Sequence, residues 1–289
     1  MDGTQPPRVL LVGAGRVGTA VAILLERVGR EAVGVVSRSP ASGERAATRL
    51  GCRVVSSLED SPEADLYLLG VPDAAIEDVA GSLAPVAAPG ALAVHFAGSL
   101  GVAPLGALAE RGLGVAALHP VQACPDVGTA VERLPGSAWG VTCATGLQDR
   151  CEELVKAVGG VPVAIGEGDR ALWHAAAVMT SNGIAALLAT GESILQTIGV
   201  ADPESVLGPL AAGAVANARA GGGGGATLTG PVVRGEVSTL RRHLEALEAQ
   251  APELVPAYRL VARTILAAAA RAGRLPAGAA GQIETVVAG

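Results

Sequence analysis

Residues 8–18 read Arg8-Val-Leu-Leu-Val-Gly-Ala-Gly-Arg-Val-Gly18. An apolar run, Val9 to Val12, breaks into Gly13-x-Gly15-x-x-Gly18, and a helical pattern continues from there through Val28. A buried strand, a glycine turn and a helix opening in that order predict the start of a dinucleotide-binding βαβ unit. Gly13 permits the tight turn, Gly15 leaves room for a pyrophosphate to approach the backbone, and Gly18 lets the helix pack closely on the strand. Gly13, Ala14, Gly15, Arg16, Val17 and Gly18 are therefore the candidate phosphate cradle, with the N–H groups and positive dipole end of the helix facing the anion.

Working outward, Glu31–Ser37 reads as a second strand, and the residue at its end selects the cofactor. An acidic residue there would hold the ribose 2′-hydroxyl of NAD and repel a 2′-phosphate. The chain instead has Ser37-Arg38-Ser39. A guanidinium fork flanked by hydroxyl donors suits the extra phosphate of NADP (NADPH). Strand and helix keep alternating: a short helix at 44–50, strands at 53–55 and 65–71, a helix at 75–83, and strands at 91–96 and 114–118. A strand at 139–143, a helix at 147–158 and a strand at 161–165 complete the run. Val71-Pro72 closes a strand at the carboxyl edge, where open α/β sheets bind ligands. From residue 168 only helical periodicity remains, about 170–198 (with Asp169 as its cap), 203–218, 234–248, 252–272 and 279–287. The expected fold is α/β, a doubly wound, mostly parallel Rossmann sheet over 1–167, followed by an all-α domain over 168–289.

Composition narrows the function classes. The 289 residues are long enough for two cores, and with half of them hydrophobic and 17% charged the chain is globular. A net charge of −6 with dispersed basic residues and only 2% aromatics argues against nucleic-acid binding. Cys52, Cys124, Cys143 and Cys151 form no C-x-x-C pair and no zinc spacing, so no metal site is expected and the thiols read as reduced, in a cytoplasmic protein. Residues 1–7 lack the apolar segment of a signal peptide. Ala171–Ile198 is the most apolar long segment, but His174, Asn182 and Glu192 interrupt it. It is expected to be a buried helix rather than a membrane span. Apolar residues around much of the C-terminal helices predict a homodimer through the helical domain. The five glycines Gly221–Gly225 read as a linker, with a mobile flap as the alternative.

Candidate chemistry rests on few residues. His119 ends a strand before Pro120, at the ligand-binding edge. His174 shares a helix with Ser181 and Asn182, at spacings of seven and eight that keep them near one face. Ser99 follows the strand at 91–96. In Leu228-Thr-Gly-Pro-Val-Val-Arg-Gly-Glu236, Thr229 and Arg234 are candidates for holding a substrate carboxylate. Either histidine, with an ordinary pKa of about 6.5, can deliver a proton near neutrality, and Asn182 and Ser99 can donate hydrogen bonds to a carbonyl oxygen.

GAGRVG at the start, HFAGSLG at 95–101, LHPVQ at 118–122, the His174-to-Asn182 helix and LTGPVVRGEVSTLRRHL at 228–244 together resemble a family. It is that of Rossmann-like proteins with a helical C-terminal domain of unassigned function. The family lies in the broad hydroxyacid dehydrogenase group, whose C-terminal domains are 6-phosphogluconate dehydrogenase-like, with ketopantoate, pyrroline-5-carboxylate and prephenate enzymes alongside. The resemblance covers nearly the whole chain and implies an NADP-dependent reductase of a small 2-oxo acid, 2-dehydropantoate being the first hint. The alternatives are a pyrroline-5-carboxylate reductase-like or prephenate dehydrogenase-like enzyme, or a non-catalytic NADP-binding sensor or scaffold. One departure stands out. The group usually carries a catalytic Lys shortly before the Asn, and here His174 stands near that place. His119, in a stretch similar to the His-Pro of prephenate dehydrogenases, is its rival.

Overall fold

The computed structural model of the chain describes residues 6–221 and 223–288. The run Val9–Val12 is buried throughout, as a central parallel strand must be, and forms β1 (Arg8–Val12). Its side chains alternate between two cores: Val9 and Leu11 enter one, Leu10 and Val12 the other. After the glycine turn come α1 (Arg16–Arg27), β2 (Glu31–Val36), α2 (Pro40–Arg49), β3 (Val54–Val55), β4 (Leu66–Leu69) and α3 (Ile76–Leu83). They lead to β5 (Leu92–His95), α4 (Gly106–Glu110), β6 (Gly114–Pro120), α5 (Val127–Arg133), β7 (Ala138–Cys143), α6 (Gln148–Ala157) and β8 (Val161–Ala164).

The eight strands form one sheet in the order β3-β2-β1-β4-β5-β6-β7-β8. Every pairing is parallel except β6 with β7. This is the expected doubly wound, mostly parallel sheet, and its strand order reverses between β2 and β4 on either side of β1. Helices cover both faces, which is why the central strands read as unbroken apolar runs. The antiparallel turn of β7 has a local consequence. Its amino-terminal residues Trp139 and Gly140 lie opposite Pro120 and His119, at the carboxyl end of β6.

Some boundaries differ from the periodicity. α2 begins at Pro40, four residues before the expected start, because Ser39 caps it by accepting the Ser42 N–H and proline suits the first helical position. The short helices α4 and α5 carry too few turns to show a periodic stripe.

Beyond Ala164 the described residues hold helices and no strand. A 3-10 turn at Glu167–Asp169 leads into α7 (Arg170–Thr197), in place of a helix opening directly at an Asp169 cap. Then come α8 (Pro203–Ala220), α9 (Gly224–Thr227), α10 (Pro231–Arg234), α11 (Val237–Gln250), α12 (Val255–Arg271) and α13 (Ala279–Val287). The helix expected over 234–248 begins later because Gly235, at φ 73°, sits in the left-handed region and ends α10. Of the glycine run, Gly222 lies outside the described residues and Gly224 opens α9. By compactness the chain divides into two units, one reaching to Ser181 and the other starting at Asn182. The second has its own core of Val232, Leu240, Leu266, Ile283 and Val287.

The expectation of a buried α7 is corrected. Arg170 is its one buried residue, while Leu172 and Met179 are 74% and 73% exposed. The apolar side chains are spread around the helix: Ile194 packs against the cluster of Leu244, Leu247, Ala251 and Val255, whereas Leu172 and Met179 stand open. By length and composition alone, Glu167–Thr197 is long and apolar enough to cross a membrane.

Candidate active site

At the end of β1 the chain turns through Gly13, whose φ of 87° excludes other residues at low cost. Gly13 N–H donates to the carbonyl of Val36 (2.8 Å) and Gly15 N–H to that of Gly70 (2.9 Å), so the turn is stitched to both neighbouring strand ends. A Cβ on Gly15 would collide with the Gly70 carbonyl, and one on Gly70 would come within 2.5 Å of the Gly13 oxygen. Gly70 is thus a fourth glycine of the cradle, which the motif alone does not reveal. The close approach that Gly15 serves is first of all one of backbone to backbone.

The turn opens onto a cleft of about 500 Å³ lined by Gly13, Ala14, Gly15, Ser37, Arg38, Ser39, Ser42, Gly70, Val71 and Pro72. Arg16, Val17 and Gly18 form the first turn of α1, which carries no acidic side chain, so its free N–H groups and dipole favour an anion there. Arg16 also donates to the carbonyl of Pro125 (3.1 Å), pinning the loop after β6. At the far end Ser39 Oγ bonds Ser42 Oγ (3.1 Å), which accepts from Arg45 (3.0 Å). Ser42 and Arg45 were missed because α2 was expected to start later; the Ser39-Pro40 cap was the available signal. The residues fit a dinucleotide: the glycines leave the backbone bare at the turn, and Arg38, Ser39 and Ser42 gather donors at the far end of the cleft.

A second cluster forms around the loop after β5. His95 is buried beneath it: Nδ1 accepts the Ala97 N–H (3.2 Å), so its Nε2–H donates to the Gly101 carbonyl (2.7 Å). Arg170 holds the loop from α7. Its guanidinium donates to the carbonyls of Leu100 (3.0 Å), Ala97 and, on β7, Gly140 (3.1 Å). Burial pulls this arginine down to about 10, against the pull of Glu167, and it stays charged at neutral pH. Glu167 accepts the Val102 N–H (3.0 Å) at the loop's end.

On this platform His119 and His174 meet edge to face, ring centroids 5.3 Å apart. Gly98 lies under both. A Cβ there would collide with the His174 ring and stand 2.9 Å from His119 Nε2. Trp173 packs on Gly140, and its indole N–H donates to His119 Nδ1 (3.1 Å). His119 is held down at about 4 by burial first, then by the charges of Arg170 and His174. Arg170 and Trp173 were missed in the sequence; the one available signal was Arg170 lying four residues before His174, on the same helix face.

Of the expected site residues, the first unit brings together His119 and His174 beside the loop that carries Ser99, which is exposed. Asn182, Thr229 and Arg234 belong to the second unit, and all three are exposed. Arg234 is engaged by its neighbour Glu236, through Nε to Oε1 (2.6 Å) and a longer bond from the second nitrogen (3.3 Å). His243 Nδ1 lies 2.7 Å from the hydroxyl of Tyr258. No cluster of His, Cys, Asp or Glu among the described residues is arranged to hold a metal ion.

Residues 2–120 match a Rossmann-like domain and residues 137–265 match a domain of unknown function, DUF2520. No curated protein matches the chain. A crystal structure of a candidate NADP oxidoreductase from Bacteroides fragilis is 22% identical, covers 91% of this chain and 98% of its own, and superposes with a TM-score of 0.75. A Thermotoga maritima protein is 22% identical, with coverage of 92% and 100% and a TM-score of 0.71. A reductive aminase from Aspergillus terreus, in complex with NADPH and ethyl levulinate, is 17% identical over 97% and 99%, with a TM-score of 0.63. The chain thus matches a Rossmann-like domain over its first part and a DUF2520 domain over its second, and it shares its fold with these solved structures.

Proposed function

We propose that the protein is an NADP-dependent oxidoreductase that reduces the carbonyl of a small 2-oxo acid, with 2-dehydropantoate the first to test. The observation that carries this reading is the pair His119 and His174, set at the carboxyl edge of the sheet whose β1 turn forms the dinucleotide cradle. Gly13, Gly15 and the first turn of α1 would hold the pyrophosphate, and Arg38 with Ser39 and Ser42 the 2′-phosphate. Bound NADPH supplies a hydride to the carbonyl carbon. The chain must then steady and protonate the developing alkoxide.

His119 stays neutral at physiological pH because burial and Arg170 oppose its charge. It can donate a hydrogen bond, but it holds no spare proton to release. The proton donor is therefore His174 in this reading, in the place where related enzymes carry a lysine. The charge of Arg170 behind the pair favours an anionic substrate and its oxyanion. On the sequence pattern alone, Asn182 is a candidate oxygen ligand, and Thr229 and Arg234 are candidate carboxylate ligands. For Arg234 this requires exchange of its bond to Glu236.

The test is NADPH absorbance over a panel of 2-oxo acids. Turnover should be at least tenfold more efficient with NADPH than with NADH, and Arg38→Ala should remove most of that preference. His174→Gln should lower kcat by about 10²-fold or more. Nucleotide binding without turnover on any 2-oxo acid would make the protein a binder and overturn the proposal.

A further inference from the structure

The two ring nitrogens of His119 are not equivalent, and their difference follows from one contact. An indole N–H has no lone pair to offer and can only donate. The nitrogen it faces at 3.1 Å is His119 Nδ1, which must therefore be the acceptor. In the neutral ring the proton is then on Nε2. That nitrogen is the one standing over Gly98, in the space a side chain would fill. The indole cannot swing away freely. It is seated on Gly140, where a Cβ would lie 2.7 Å from Trp173 Nε1, and Gly140 is bonded both to β6 by the sheet register and to Arg170 by its carbonyl.

We infer that Trp173 is a positioning residue: it locks His119 as the Nε2–H tautomer, so that a fixed N–H donor stands beside His174 for the substrate's carbonyl oxygen. The inference rests on the proposed reductase reading for the identity of that oxygen, but the tautomer belongs to the protein alone. The groups facing the ring are the Arg170 guanidinium, His174 and the Trp173 indole. The guanidinium and the indole are donors only, so neither can accept a hydrogen bond from a protonated Nδ1, and the partner that Nδ1 has is the indole N–H. Without Trp173 the two tautomers of an imidazole lie close in energy, and the ring would sample both.

The test uses uniformly ¹⁵N-labelled full-length protein at pH 7. Long-range ¹H–¹⁵N correlations read the tautomer of each histidine, and His119→Gln identifies the His119 signals. The expected wild-type result is protonated Nε2 and bare Nδ1. Trp173→Phe, which keeps an aromatic ring on Gly140, should convert His119 to a mixture of tautomers and lower kcat about tenfold, leaving the KM for NADPH unchanged. A wild-type Nδ1–H tautomer would overturn the inference, and so would an unchanged tautomer in Trp173→Phe. Should that variant fail to fold, hydrogen exchange of the Trp173 indole in the wild type decides. Protection supports the inference, and exchange at the rate of a free indole overturns it. If the tautomer is as inferred but no 2-oxo acid is reduced, the reaction assignment fails and the positioning role stands.

Discussion

At the scale of single residues, Gly98 and His119 carry the sharpest expectations. Gly98 has an ordinary φ, so alanine is tolerated by the backbone, but its methyl group would occupy the space of both imidazoles. Gly98→Ala should therefore leave the thermal midpoint within a few degrees and cut kcat by about 10²-fold, through displacement of the histidines from working geometry. Equal activity in the variant would show that the ring pair is not where the chemistry happens. His119 makes stability depend on pH in one direction. Its folded value of about 4 lies below the usual imidazole value near 6.5, so between these limits the unfolded chain takes up a proton that the folded chain refuses. Its contribution is complete above pH 6.5, declines as the pH falls and is gone near pH 4. Between pH 7 and pH 5 the loss should be about 2 kcal/mol. Urea unfolding of the wild type against His119→Gln separates this from the carboxylates and from His95, whose burial also lowers its pKa. Parallel pH profiles in the two proteins would contradict it.

Among the elements, the first turn of α7 has the largest structural task. Arg170 ties the loop after β5 to the antiparallel strand β7, through carbonyls of Ala97, Leu100 and Gly140. Replacing it by Met keeps the stem and removes the guanidinium bonds to all three carbonyls. At about 1–3 kcal/mol for each unsatisfied buried group, the cost should reach about 3 kcal/mol or more. Arg170→Lys should recover only part of that, because a compact ammonium cannot span three carbonyls as the planar fork does. Denaturant midpoints of the two variants check this, and a loss below about 1 kcal/mol for the Met variant would show that water replaces the guanidinium. The same turn carries Trp173 and His174, so a loosened Arg170 should also disturb the histidine pair.

For the molecule as a whole, the exposed apolar surface of α7 and α8 calls for a cover. Leu172, Met179 and Leu187 on α7, with Val206 and Leu210 on α8, are each more than half exposed. Isolated exposed leucines are ordinary, whereas a series of them on each of two successive helices is what a contact surface would present. The cover expected is a second copy of the chain. Light scattering at micromolar concentration should give a dimer, and Met179→Glu with Leu187→Glu should shift it to monomer. A monodisperse wild-type monomer would refute this. Association with liposomes in place of self-association would instead favour the membrane reading that the length and apolarity of α7 permit.

Much of this fold was decided within short stretches of chain. Strand β1, the glycine turn and the alternation up to β8 follow from local apolar runs, spacing and turn residues, whose physics reaches only a few residues along the sequence. The glycine turn at the end of β1 was legible for the same reason, and so was the switch to helices near residue 168. Tertiary structure alone decided the rest. The antiparallel turn of β7 sets Gly140 opposite His119, so that Trp173 and Arg170 can reach across. His119 and His174, each plausible in sequence, become a pair through that packing, and His119 becomes the neutral partner only through the burial and charge around it. The exposure of α7 is also invisible to its own periodicity. An apolar helix reads the same whether its own chain or a second molecule covers it, because burial depends on what is packed against a face and not on the face itself.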